Sequence, residues 1–213
     1  MIRIAHSNAE LAPAEAPGLD GHRIAAWAAF LAAGAPQELH EAFIAKGGTA
    51  PDIVWNPPVD RLGATQLRFL LRYWTDLAGA RAMPDARQID ALEMRPALGY
   101  INLVDVVEGG EDFRYRVFGT VIAAVAGYDM TGRLVSALKT APYMAEFALA
   151  NYRAVVQRGE PLLTEHRPPP SAMPTVTWHG LVLPLAGRDG AVARLLIGNV
   201  PFSRDGRPIL LRL

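Results

Sequence analysis

The sequence contains no cysteine, and this absence excludes several classes of site at once. A chain without thiols forms no disulfide, no thiolate nucleophile, no cysteine-ligated metal centre and no cysteinyl flavin adduct. Because a protein without disulfides suits a reducing compartment, we expect a cytoplasmic location.

Lysine is nearly absent, since only Lys46 and Lys139 occur among 213 residues. Lysine and arginine together number 21 and are balanced by 21 acidic residues, so the formal net charge is zero. A nucleic-acid-binding protein normally carries clustered positive charge. The composition therefore predicts no nucleic-acid partner, and its 51% hydrophobic content is typical of a folded globular chain.

Long hydrophobic runs are also missing. The best candidate, IAAWAAFLAAGA at residues 24 to 35, is shorter than the roughly 20 residues that a membrane-spanning helix needs. Acidic residues precede it (Glu10, Glu15 and Asp20), whereas a secretion signal begins with a short positive segment. We interpret this run as a partly buried helix and predict no membrane association.

The common catalytic and metal-binding patterns are absent as well. The sequence has no G-x-S-x-G motif, and its histidines show neither helical i, i+4 spacing nor a metal-ligand pattern with acids: His6, His22, His40, His166 and His179. Residues 119 to 160 contain no histidine that could ligate a haem iron from the helical region. We therefore predict no metal site and no catalytic residues, and no cofactor is identified. His179 is expected to face solvent or to be satisfied by a neighbour.

The sequence does contain a clear series of helix and strand patterns. Residues 22 to 33 and 36 to 47 have apolar side chains at helical spacing and predict a helical hairpin after an irregular segment over 1 to 21. The run TAPDIVWNPPVD is expected to be a linker without regular structure, because it contains three prolines. We thus predict an N-terminal extension over 1–62 and a second unit over 63–213.

The second unit alternates helix and strand patterns. Helices are expected over 65 to 79, over TVIAAVA at 120 to 126 and from 142 to 158, with Gly127 and Gly159 as C-terminal caps. Five strands are expected: two in a hairpin over 99 to 118, then 162 to 166, 175 to 185 and 191 to 202. This order predicts an α+β fold in which helices pack on one face of an antiparallel sheet.

The hairpin can be read residue by residue if Gly109 and Gly110 form a two-residue turn. The resulting register pairs Val106 with Phe113, Val104 with Tyr115 and Asp105 with Arg114. It predicts an apolar face that ends at Val117, and a cross-strand ion pair between Asp105 and Arg114 on the other face.

The order of the motifs resembles that of a bacterial PAS-like family, once described as of unknown function. The similar stretches are LRYWTDLAGARAMPDARQIDALEM, INLVDV, DFRYRVFGT and AGYDMTGR, and the resemblance covers roughly residues 65 to 202. It implies a PAS fold, with a five-stranded antiparallel sheet cradling helices, used to sense small molecules or to contact proteins. It implies no catalytic residues. The helices of residues 1–62 lie outside the stretch that resembles the family.

Six residues are candidates for a ligand pocket of that fold, because they combine apolar walls with few polar groups. They are Tyr115 on the sheet, Tyr128 at a turn, Tyr143, Phe147 and Asn151 on the long helix, and Trp178 on a later strand. The alternative is that most of them fill the core. Asn151 is harder to explain in that way, since a buried amide costs free energy unless it is paired.

Three functions remain open at this point. The first is a sensory or regulatory module that binds a small organic ligand, a partner protein or both; because only SRDGRPILLRL follows the last strand, we expect the signal to act in trans. The second is assembly, in which the helices around Trp27 and Phe43 form a homodimer seam or a docking surface. The third is an enzyme that uses His179 or His166 with an acid.

Overall fold

A computed structural model describes residues 18–168, 176–203 and 205–209, so the predicted irregular segment over 1 to 21 lies mostly outside the described residues. The strands of the described residues form a single antiparallel sheet in the order β1-β4-β5-β6-β2-β3. Their bounds are β1 Asp52–Trp55, β2 Ile101–Val107, β3 Asp112–Val117, β4 Leu162–His166, β5 Val176–Ala186 and β6 Val192–Ser203. The α-helices are α1 Gly21–Ala33, α2 Gln37–Ala45, α3 Thr65–Ala78, α4 Thr120–Ala126 and α5 Pro142–Arg158.

The predicted α+β class and antiparallel sheet are confirmed, with one strand more than expected. The extra strand is β1, which pairs antiparallel with β4 from Asp52 opposite Glu165 to Trp55 opposite Leu162. It lies in the proline-rich run that was expected to lack regular structure, and that prediction is wrong. The prolines flank the strand at Pro51 and Pro57 instead of interrupting it, so the backbone donors of β1 remain available.

The register of the β2–β3 hairpin is confirmed, but the predicted ion pair is wrong. Asp105 lies opposite Arg114 on the backbone. However, its carboxylate accepts hydrogen bonds from Nε of Arg116, at 2.7 and 2.9 Å, and from Nε of Arg194 on β6, at 2.7 Å. The predicted pairing included only β3 as a neighbour of β2. In the sheet β2 lies between β3 and β6, so Asp105 also meets side chains of β6.

A bulge in β3 accounts for a second difference in this hairpin. Leu103 lies opposite Val117 while Val104 lies opposite Tyr115, so Arg116 is an extra residue on β3. Val117 was expected on the apolar face, but it lies beyond the bulge and is 47% exposed. The turn itself is as expected, because Gly109 and Gly110 both have positive φ, at 67° and 96°.

Helices cover both faces of the sheet, whereas the sequence predicted helices on one face. Helix α3 packs on one face, where Trp74 Nε1 donates a 2.7 Å hydrogen bond to the backbone carbonyl of Pro184. Gly198 of β6 makes room for this helix, since a Cβ atom there would come within 2.6 Å of Leu67 and Leu70. Helices α4 and α5 lie on the opposite face and end at Gly127 and Gly159, both in the predicted left-handed cap conformation.

Helices α1 and α2 pack against the outer side of α5. The Phe43 ring of α2 makes edge-to-face contacts with Phe147, at a centroid distance of 4.9 Å, and with Tyr143, at 5.5 Å. Trp27 of α1 is 3% exposed and Phe43 is fully buried. These two side chains therefore lie inside the chain's own core and are covered by α5. That the helices around them form a homodimer seam or a docking surface stays a prediction.

The start of α1 is joined to α5 by polar contacts as well. Glu146 of α5 is 2% exposed. Its carboxylate accepts hydrogen bonds from the backbone N–H of Asp20, at 2.9 Å, and from Nη1 of Arg23, at 3.2 Å. A buried carboxylate is costly unless such donors surround it, so this contact holds the first turn of α1 against α5.

Candidate ligand-binding cavity

A cavity of about 420 Å³ lies between the sheet and the helices α4 and α5. Side chains that alternate along the strands form its floor, because every second residue of a strand points to the same face. The floor residues are Asn102, Tyr115, Thr164, His166, Trp178, Gly180, Val182, Ile197 and Asn199. The walls and roof come from Phe118, Ile122, Ala126, Tyr128, residues 138 to 141, Met144, Phe147, Ala148, Asn151, Tyr152 and Pro168.

A short polar row crosses the middle of this floor. Gly180 of β5 lies between Thr164 of β4 and Asn199 of β6 in the strand register. A Cβ atom on Gly180 would lie 3.1 Å from Oγ1 of Thr164 and 3.8 Å from Oδ1 of Asn199. The missing side chain of Gly180 therefore contributes directly to the depth of the cavity.

Five of the six candidate residues line this cavity: Tyr115, Tyr128, Phe147, Asn151 and Trp178. Tyr143 does not, because it lies on the outer side of α5 and packs against Phe43. Phe147 is shared between the two sides: it lines the cavity and also contacts Phe43. Phe147 therefore lies at the border between the side of α5 that faces α2 and the side that faces the sheet.

Several polar lining residues were not predicted from the sequence, namely Asn102, Thr164, Asn199 and Lys139, and His166 was expected only as a possible catalytic group. Strand alternation held a usable signal for β4, because Thr164 and His166 share the parity of Leu162, which is buried on the same face. For Asn102 and Asn199 the signal was weaker, because their strands are buried on both faces and lack strict alternation.

His166 is a neutral imidazole in this cavity. Burial, together with the positive charge that His179 can carry, lowers its pKa to about 3. Its Nδ1 is buried and has no hydrogen-bond partner among the described residues. At physiological pH the ring therefore presents one donor and one acceptor and no charge.

Asn151 is the second unpaired polar group. Its side chain is 4% exposed, and Oδ1 has no hydrogen-bond partner within the described ranges. By contrast, Asn102 is partly satisfied, because its Oδ1 accepts a 3.0 Å hydrogen bond from the backbone N–H of Gly119. The amide of Asn151 thus keeps unused hydrogen-bonding capacity in the roof of the cavity.

The tyrosines of the cavity are also uncharged. Burial raises the pKa of Tyr152 to about 12, and the nearby Tyr115 hydroxyl opposes this rise. Burial likewise raises the pKa of Tyr115 far above its usual range. Among the lining residues that the structure describes, Lys139 alone carries a formal charge at neutral pH. The cavity is therefore a weakly polar environment with one cation in the 138 to 141 segment.

His179 lies on the opposite face of the sheet and does not reach the cavity. Its ring stacks on Phe202 at a centroid distance of 4.0 Å, and Nδ1 lies 3.2 Å from Oε1 of Glu165 without the alignment of a hydrogen bond. Burial lowers the pKa of His179, whereas the Glu165 carboxylate raises it. The histidine thus has an aromatic and an acidic neighbour, and the expectation that a neighbour satisfies it is met only in part.

Two other kinds of feature are not found in residues 18–168, 176–203 and 205–209. These ranges hold no cluster of three or more metal-ligating side chains. None of their helices combines the length and the apolar character that crossing a membrane requires.

A family model described as a PAS domain matches residues 64–199. The match covers more than half of the chain, so this chain belongs to the PAS domain family, and the antiparallel sheet with helices packed on it agrees with that assignment. The resemblance found from the motif order is thereby confirmed. PAS domains are in general sensory or regulatory modules and not enzymes. No curated protein and no solved structure matches the chain.

Proposed function

We propose that this chain is a non-enzymatic sensory or regulatory module that binds a small organic molecule in the cavity between the sheet and α5. The observation that supports this most directly is a cavity of about 420 Å³ with apolar walls and unpaired buried polar atoms on Asn151 and His166. Buried polar groups are normally hydrogen-bonded, and a small-molecule site combines an apolar lining with a few such groups.

The composition of the lining favours binding over catalysis. The described lining residues contain no aspartate or glutamate that could work with His166 as an acid or base. His166 and His179, the two histidines that an enzyme was expected to use, lie on opposite faces of the sheet. They therefore cannot act together in one site. General acid–base chemistry needs both groups within reach of the same substrate atom.

We also propose a route by which the bound state reaches a partner protein. Helix α5 contributes Phe147 and Asn151 to the cavity and, on its outer side, contacts α1 through Glu146. A ligand that shifts α5 therefore also shifts α1. On this view residues 1–62 form an extension whose position changes when a ligand binds to the PAS domain over 63–213.

Filling the cavity tests the proposed function. The Gly180→Val variant places a side chain on the floor between Thr164 and Asn199, so it should abolish binding. A thermal-shift and native mass-spectrometry screen at millimolar concentration should find compounds that stabilise the wild type, since a ligand at about 100 times its Kd adds roughly 2.7 kcal/mol. Gly180→Val should lose this stabilisation, and its circular dichroism spectrum should stay unchanged.

Gly21→Ala is the matched control, because a Cβ atom there meets no other atom within 4 Å. It should keep the ligand-dependent stabilisation. Compounds that stabilise the wild type and Gly180→Val equally would contradict binding in this cavity, and so would a diverse library without any stabilising compound.

A further inference from the structure

Phe147 connects the two residues that hold unpaired polar atoms on the cavity lining, Asn151 and His166. The ring centre of His166 lies 5.1 Å from that of Phe147, and Asn151 follows Phe147 by one helical turn on α5. Both side chains line the cavity, and both hold a buried polar atom without a partner in the described part of the chain. They form a polar corner between α5 and the end of β4.

This corner is uncharged. An asparagine amide and a neutral imidazole each offer one acceptor and at least one donor. Thr164, which precedes His166 on the same face of β4, adds a hydroxyl to the same side of the cavity. A ligand group that both donates and accepts hydrogen bonds, such as an amide or a hydroxyl, is complementary to this set.

A charged ligand group is not complementary to the corner. The corner itself contains no charged side chain, because the described lining has no carboxylate and its one formal positive charge, Lys139, belongs to the segment between α4 and α5. Taking a charge out of water without a counter-charge is strongly unfavourable. The remainder of the lining suits a flat apolar body, because Phe118, Phe147 and Trp178 present aromatic surfaces.

From this geometry we infer that the ligand is an uncharged molecule with an aromatic or other apolar body and one amide-like or hydroxyl group, which donates a hydrogen bond to Asn151 or His166. This inference rests on the proposed cavity-binding function and specifies the chemical class that it accepts.

Four probes of nearly equal size test this class: benzamide, toluene, benzoate and benzylamine. Their affinities for the wild-type chain can be measured by titration with ligand-observed and protein-observed NMR. Benzamide should bind roughly tenfold more tightly than toluene, which is the upper range for one neutral hydrogen bond. Benzoate and benzylamine, which are charged at pH 7, should bind more weakly than benzamide.

Asn151→Leu keeps the number and branching of the side-chain heavy atoms and removes the amide, so the preference for benzamide over toluene should fall to threefold or less while toluene binding persists. Tyr143→Phe is the matched control. The Tyr143 hydroxyl is also buried and unpaired but does not line the cavity, so the preference should stay near tenfold. If Asn151→Leu does not fold, the His166→Phe variant tests the corner instead, because it removes the other unpaired polar group; the preference for benzamide over toluene is measured in the same way.

The outcomes separate the inference from the proposed function. Equal binding of all four probes, or tightest binding of benzoate, would overturn the uncharged class and leave ligand binding in the cavity intact. A preference for benzamide that survives both Asn151→Leu and His166→Phe would overturn the assignment to this corner. If no probe binds but the library screen finds a charged ligand, only this inference fails; if both experiments find nothing, the proposed function fails as well.

Discussion

Removing the guanidinium of Arg23 should destabilise the chain, because it leaves the buried carboxylate of Glu146 with one donor fewer. Glu146 is 2% exposed and receives hydrogen bonds from the Asp20 backbone N–H and from Arg23 Nη1. The Arg23→Met variant keeps most of the apolar stem and deletes the charged group. It therefore tests whether α1 is held to α5 through this carboxylate.

The expected loss follows from the exposure of the two partners. A hydrogen bond to a charged group contributes about 1.5 to 3 kcal/mol. The Arg23 side chain is 43% exposed, so solvent screens the pair and water can replace part of the contact. We expect a loss at the lower end, about 1.5 kcal/mol, equivalent to a fall in Tm of about 3 to 6 °C for a chain of this size.

Urea unfolding followed by tryptophan fluorescence measures this loss. Arg23→Met should lower the midpoint and leave the slope of the transition unchanged, since the surface buried on folding hardly changes. In a Glu146→Gln background the same substitution should cost less, because the carboxylate that needs the guanidinium is gone.

Asp20→Asn is the control for the exposed part of this contact. Asp20 caps α1 by accepting from the Arg23 backbone N–H, and its carboxylate also pairs with the Arg23 side chain in solvent. Asparagine keeps the cap, so this variant should lose less stability than Arg23→Met. The reasoning is refuted if the two variants lose equal stability, or if Arg23→Met costs as much in the Glu146→Gln background as in the native chain.

Two further predictions concern the entry to α4 and His166. Gly119→Ala should destabilise the chain by about 3 kcal/mol in urea unfolding, because its Cβ atom would overlap the Gly99 carbonyl oxygen and lie 3.0 Å from that of Ile101; a loss as small as that of Gly21→Ala would contradict this close approach. His166 has a pKa of about 3 in the folded chain against 6.5 when unfolded, so the unfolded state binds more protons in between and stability should fall as pH drops through that window, by up to about 1.4 kcal/mol per pH unit. His166→Gln should flatten the dependence of the unfolding free energy on pH between 6 and 4, and an unchanged slope would show that the imidazole is not buried in its neutral form.

The elements that depend on neighbouring residues could be predicted closely. Alternation around Gly109 and Gly110 predicted the hairpin register, and a glycine after the last helical residue predicted the caps Gly127 and Gly159. These features have local causes, namely the tolerance of glycine for positive φ and the two-residue period of a strand. The same local rules identified Asn151 as an amide within an apolar stripe.

The errors arose where a residue's partner is distant in the chain. Strand β1 looked like a linker because its stabilising neighbour, β4, lies more than 100 residues later. Asp105 was paired with Arg114 across the turn, although the β3 bulge brings in Arg116 and the far side of β2 brings in Arg194. Trp27 and Phe43 are covered by a surface of α5 that cannot be seen from their own helices.

The sequence by itself determined the α-helices, every strand of the described residues except β1, and the presence of a PAS-like order of motifs. Tertiary structure decided which strands lie side by side, and therefore which residues share the cavity: Thr164, Gly180 and Asn199 meet only because β5 lies between β4 and β6. Local conformation follows from backbone and side-chain preferences within a few residues, whereas strand order depends on burying apolar faces from the whole chain at once. The polar corner of Asn151 and His166 is a product of that second, global process.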